Sequence, residues 1–227
     1  MIKRVLVFLL AAATGSLLAQ TPRYDTIRYA REYYKERVEL FQREPIRKGR
    51  IIFLGNSIAQ YADWRKLLND STIVNRGIGG DNTFGVLDRL EDVIARQPRK
   101  LFIEVGINDI SQNIPVDIIV QNIATILKRM KEKSGTTLVY IFSVLPTNDR
   151  VKNEYPDAFN KAAQTNDVNS RLRELERKGL FTFVDLQKEL RDRAGKLSEK
   201  YSKADGLHLN AEGYQVCIAL LRRKGYL

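Results

Sequence analysis

The chain is poor in the residues that usually mark a disulfide framework or a metal centre. Its 227 residues include one cysteine, Cys217, and one histidine, His208. A lone cysteine cannot close an internal disulfide, so an ordinary hydrophobic core must hold the fold. Cys217 falls on an apolar helix face and reads as core. No cluster of His and Cys has ligand spacing, which argues against a metal site, and no organic cofactor is expected either. Internal repeats, linkers, low-complexity stretches and a long apolar lid segment are all missing. There is no dense basic run or nucleic-acid recognition motif, although the formal charge is +11. Lys and Arg are instead spread among acidic residues, which reads as a solvated surface with no nucleic acid as partner.

What is present begins with an export signal. Lys3 and Arg4 form a charged start, Val5 to Ala13 an apolar run, and Ser16-Leu17-Leu18-Ala19 offers a small residue at the cut. The run is short for a spanning helix, which needs about 20 apolar residues. The expectation is therefore a signal peptide over 1–19, an exported protein in the periplasm or outside the cell, and no stable membrane insertion after processing. Residues 20–49, including the charged amphipathic stretch Tyr24 to Phe41, read as a helical segment packed on a domain that spans 50–227.

Within that domain, short β-rich runs recur at Ile51–Leu54, Thr72–Asn75, Leu101–Val105, Thr137–Phe142 and Phe181–Val184. Helical spacing lies between them. Val86, Leu87, Leu90, Val93 and Ile94 trace one face, the run from Val116 to Met130 a second, and Val168, Leu172 and Leu175 a weaker third. Asn210 reads as the N-cap of a last helix through Tyr214, Cys217 and Leu220. Strands alternating with helices predict an α/β fold, a parallel sheet covered on both faces. Five strands predict a flavodoxin-like three-layer α/β/α sandwich with strand order 2-1-3-4-5.

In such sheets reactive groups gather beyond the carboxyl ends of the strands. Gly55-Asn56-Ser57 follows the first strand, Asn75-Arg76-Gly77-Ile78-Gly79-Gly80-Asp81 the second, and Gly106-Ile107-Asn108-Asp109 the third. A serine nucleophile needs a base poised near neutral pH, and His208 is the one imidazole on offer. Asp205, three residues earlier in Asp205-Gly206-Leu207-His208, can fix its tautomer. The backbone N–H groups of Ser57 and Gly80 and the side-chain amide of Asn108 are candidate donors to a developing oxyanion. Each residue alone also has a plainer reading: Ser57 as a helix cap, the glycines and Asn108 as turn residues, His208 as a lone surface histidine.

Taken together, these four blocks resemble the SGNH, or GDSL-type, esterase family, and the resemblance covers residues 50 to 220. The stretch Val74 to Asp81 is similar to the branch near platelet-activating-factor acetylhydrolase-type and carbohydrate acetylesterase members. The resemblance implies a serine ester hydrolase with Ser57, His208 and Asp205 as catalytic residues and Ser57, Gly80 and Asn108 as the oxyanion hole, with Gly79 the second choice for the glycine donor. It implies a short acyl group, acetyl first, on a carbohydrate. The alternatives are a lysophospholipid or short-chain lipid ester, or a catalytically inactive carbohydrate-binding module on the same fold. The family usually has Asp before the serine; here Asn56 stands in its place.

Overall fold

The computed structural model describes residues 31–151 and 154–227. The signal segment Met1–Ala19 and the stretch 20–30 lie outside the described residues. Five strands, β1 (Ile51–Gly55), β2 (Val74–Gly77), β3 (Lys100–Glu104), β4 (Leu138–Phe142) and β5 (Thr182–Val184), form one all-parallel sheet in the order β2-β1-β3-β4-β5. This is the 2-1-3-4-5 order and the α/β class read from the sequence.

Successive residues of a strand point to opposite faces, so a strand covered on both sides must be apolar at every position. In β1, Ile52 and Leu54 join one core cluster and Ile51 and Phe53 the other. The first cluster lies under α4 (Thr83–Asp88), α5 (Leu90–Ala95), α7 (Val116–Lys133) and α8 (Ala162–Glu176). The second lies under α3 (Trp64–Leu68), α9 (Leu186–Leu190) and α10 (Ala211–Arg223). The register aligns Phe53 with Phe102 and Phe102 with Tyr140. Their rings stack at 4.8 and 4.7 Å, and Trp64 continues the stack on Phe53 at 3.8 Å. Two short helices, α2 (Ser57–Gln60) and α6 (Ile107–Ser111), start directly beyond β1 and β3. No helix among the described residues is long and apolar enough to cross a membrane.

Strands β3, β4 and β5 are displaced or shortened by a single residue from the sequence expectation, and two differences are larger. The second strand begins at Val74, not Thr72, and runs on to Gly77. Asp70 accepts hydrogen bonds from the Thr72 N–H and hydroxyl, and this local turn competes with strand pairing. The helical face drawn through Val86 to Ile94 belongs to two helices that break at Arg89, whose φ and ψ are −106° and 11°. The N-terminal helix α1 (Arg31–Arg43) buries Phe41, and the guanidiniums of Arg37, Arg76 and Arg89 lie within 6 Å of that ring's centroid.

Candidate active site

At the end of β1 the chain turns sharply into α2. Gly55 makes this possible: its φ is +149°, and a Cβ there would sit 1.8 Å from the Glu104 carbonyl oxygen. Asn56 caps α2, its Oδ1 accepting from the Ile58 N–H at 2.8 Å. Ser57 is the first helical residue. Its backbone N–H donates to no partner among the described residues, as expected for the first turn of a helix.

Ser57 Oγ lies 2.9 Å from His208 Nε2, and His208 Nδ1 lies 2.7 Å from Asp205 Oδ2. The turn from Asp205 to His208 that sets this up is built by the carboxylate itself: Asp205 Oδ1 accepts from the backbone N–H of Leu207 and of His208, each at 2.9 Å. Gly206 adopts φ +65° in that turn. Burial would raise the Asp205 carboxyl, but the His208 and Leu207 N–H groups and the imidazole outweigh it and hold the carboxyl below the usual aspartate value. An ionised Asp205 fixes the proton on Nδ1 and leaves Nε2 as the acceptor facing the serine. Ser57 and His208 are both largely covered.

The loop after β2 supplies the facing wall. Ile78 to Asp81 form a turn closed by an Asp81 N–H bond to the Ile78 carbonyl at 3.1 Å, with Gly80 at φ +80°, the geometry of a type II turn. The Gly79 N–H is taken by the Gln60 side-chain oxygen, and Gln60 in turn donates to the Tyr33 hydroxyl. The Gly80 N–H has no acceptor among the described residues. Asn108, in the first turn of α6, donates one amide hydrogen to the Asp81 carbonyl at 2.8 Å, which fixes the orientation of the amide. Ser57, Gly80, Asn108 and His208 all line one open cleft of about 180 Å³.

Several residues that sequence reasoning gave no role hold these pieces in place. Arg89 Nε donates to Asp81 Oδ2 at 2.8 Å, and its terminal nitrogens reach the carbonyls of Arg76 (2.7 Å) and Gly55 (3.0 Å). One guanidinium thus ties the ends of β1 and β2 to the glycine turn. Burial pushes the Asp81 carboxyl up to about 6, and the Arg89 pair limits the rise and keeps it ionised at neutral pH. Asp109 accepts from the Thr83 N–H and hydroxyl, locking α6 to α4; burial pushes its carboxyl up to about 7. Glu104 is buried below Asn56, and burial pushes its carboxyl up to about 8. The Asn56 amide eases Glu104 slightly, yet no hydrogen bond of ordinary geometry closes between them. A charged side chain in an otherwise apolar run, as Glu104 is in Leu101–Val105, was the available sequence signal. Cys217 lies buried in the second core cluster with its thiol pushed up to about 12 by burial, which suits packing and not nucleophilic chemistry.

Residues 53–216 match the model of the GDSL-like lipase/acylhydrolase family. The platelet-activating factor acetylhydrolase IB subunit alpha1 of Pongo abelii is 27% identical over 180 residues, covering 75% of this chain and 73% of that protein. A solved Streptococcus pneumonia structure, provisionally named a platelet activating factor, superposes with a TM-score of 0.74 at 28% identity, over 86% of this chain and 91% of that one. A GDSL-like lipase from Bacteroides thetaiotaomicron shares the fold with a TM-score of 0.72 at 24% identity, over 86% and 98% of the two chains.

Proposed function

The chain belongs to the GDSL-like lipase/acylhydrolase family and is an ester hydrolase, and on that premise we propose that it removes short acyl groups, acetyl first, from carbohydrate esters through Ser57, His208 and Asp205. The observation that carries this reading is the unbroken line from the Ser57 hydroxyl through His208 to Asp205, at 2.9 and 2.7 Å, opening on a cleft. His208 Nε2 accepts the Ser57 proton as Oγ adds to the ester carbonyl. The N–H groups of Ser57 and Gly80 and the free amide hydrogen of Asn108 hold the developing oxyanion; losing one such donor costs about 3–4 kcal/mol of transition-state stabilisation. The C–O bond to the alcohol then breaks, and the alkoxide leaves with the proton from His208. Water, deprotonated by the same imidazole, adds to the acyl-enzyme and returns Ser57 with release of the carboxylic acid. Asp205 stabilises the imidazolium in both halves. The engaged Gly79 N–H favours Gly80 as the glycine donor.

A fluorophosphonate probe should label Ser57 in the folded protein, and Ser57→Ala should lose both labelling and turnover. Folded protein that resists the probe would favour a binding module on the same fold. His208→Ala should lose nearly all turnover while leaving the fold intact, because no other imidazole is there to accept the serine proton. Parental turnover in that variant would remove His208 as the base.

A lipid acetyl ester is the second reading, favoured by the name of the Pongo abelii relative. Assays on acetylated sugars against an acetylated ether phospholipid separate the two, and faster turnover of the lipid reverses the ranking. Export belongs to the same proposal and rests on the Lys3-Arg4 start and the apolar run behind it. Protein recovered outside the cytoplasm with the first residues removed would support it; full-length protein in the cytoplasm would not.

A further inference from the structure

Among the described residues, six large apolar or aromatic side chains are notably exposed, and three of them are tyrosines lining the Ser57 cleft: Tyr33 (38%), Tyr61 (49%) and Tyr155 (41%). They come from α1, from the end of α2 and from the loop ahead of the 3₁₀ turn Pro156–Ala158. Exposed aromatics gathered from three elements around one cleft are a costly arrangement for a surface with nothing to bind. Two of them flank the imidazole: the Tyr61 and Tyr155 rings lie 5.1 and 5.4 Å from the His208 ring, centroid to centroid. The departing alcohol takes its proton from His208, so these rings border the alcohol side of the ester.

Tyr155, Asn108 and Leu207 also line a second chamber, of about 310 Å³, beside the cleft. Its other polar lining residues are Ser111, Glu154 and Asp157. This combination of ring faces with planar acceptors and a hydroxyl suits an alcohol that has both C–H faces and many hydroxyls. The charges narrow the class further. Among the described residues no Lys or Arg lines either cavity, and the chamber's two carboxylates disfavour an anion, in a chain whose net charge is +11. A cation is disfavoured at the cleft, because the Lys203 ammonium already sits 4.8 Å from the Tyr61 ring centroid and would repel it.

We propose that Tyr61 and Tyr155, with Tyr33 at the rim and the Ser111–Glu154–Asp157 chamber beside them, form an alcohol-side subsite selecting a neutral, ring-shaped polyol such as an uncharged pyranoside. This rests on the ester-hydrolase reading above and assigns its leaving-group specificity to named residues. Tyr33 also holds Gln60, which holds the Gly79 turn, so substitutions for the test are better placed at Tyr61 and Tyr155.

The test measures kcat/KM of the whole protein on three acetates: an acetylated methyl pyranoside, the ring-free 2-methoxyethyl acetate, and cationic acetylcholine. The pyranoside should be the fastest of the three. Tyr61→Ala and Tyr155→Ala should each lower the ratio of pyranoside to ring-free ester by about tenfold, mostly through KM, the scale of one lost ring contact. Tyr155→Phe should restore the ratio, since the ring face and not the hydroxyl makes the contact. Ratios equal to the parent in both alanine variants, or acetylcholine outrunning the pyranoside, would overturn the subsite while leaving the reaction intact. No turnover of any acetate, with Ser57 unlabelled by fluorophosphonate, would overturn the reaction and the subsite with it.

Discussion

Asn56 and Glu104 form an unusual pair beneath the turn that carries Ser57. Asn56 uses its oxygen to cap α2, which leaves its amide hydrogens toward a buried carboxyl. A neutral Glu104 tolerates that site far better than a carboxylate would. The consequence for stability has a definite sign. Burial raises the Glu104 carboxyl from its ordinary value of 4.5 to about 8, so between those values the folded protein binds a proton that the unfolded chain has released. Stability is therefore fully present below the ordinary value and is lost as pH rises through the folded one, by an amount on the order of a few kcal/mol. Asp109, raised to about 7 by burial, acts in the same direction. Glu104→Gln should flatten this decline, read as urea midpoints across mildly acid to mildly alkaline pH. A variant whose midpoint still falls as steeply as the parent's would show that Glu104 does not carry the effect.

At the scale of elements, the site depends on how the strand ends are tied together. Arg89 interrupts what would otherwise be one helix and sends its guanidinium to Asp81, Arg76 and Gly55 at once. Replacing it with methionine keeps much of the volume but leaves Asp81 a buried carboxylate without its cation. That should cost about 3–5 kcal/mol by denaturant titration. The activity of the remaining folded protein should fall as well, because the Gly80 turn and the Ser57 turn lose their common anchor. Arg89→Lys should not recover the activity, since one ammonium cannot span three acceptors as the planar fork does. Full activity in the lysine variant would mean that the fork is dispensable.

For the whole molecule, stability and chemistry are carried by different layers. The helices α7 and α10 bury residues such as Ile123 and Leu221 on opposite faces of the sheet, and neither residue lines the cleft. Ile123→Ala should destabilise the protein by about 2–5 kcal/mol through lost burial and the cavity left behind. The fraction that stays folded should react with a fluorophosphonate at the parental rate. A slowed reaction at matched folded fraction would mean that α7 packing reaches the loops around Ser57.

The strand order was legible because five apolar runs alternate with helical faces, and a parallel sheet must bury both sides of each strand. The turns that carry Ser57, Gly80 and Asn108 were legible because glycine and asparagine punctuate the ends of three such runs. The break at Arg89 was not legible: its apolar neighbours keep helical spacing, and its bonds go to carbonyls 13 and 34 residues away. The start of β2 was misplaced because a local Asp70–Thr72 turn outcompetes strand pairing, an outcome that β-propensity does not register. By itself the sequence determined the fold class, the order of the layers and which side chains could do chemistry, since these follow from local pattern and residue type. Only the tertiary structure decided which N–H groups stay unoccupied, which carboxyls are held neutral and which tyrosines meet around the imidazole. Those properties come from through-space neighbours and exclusion of water, which linear spacing does not encode.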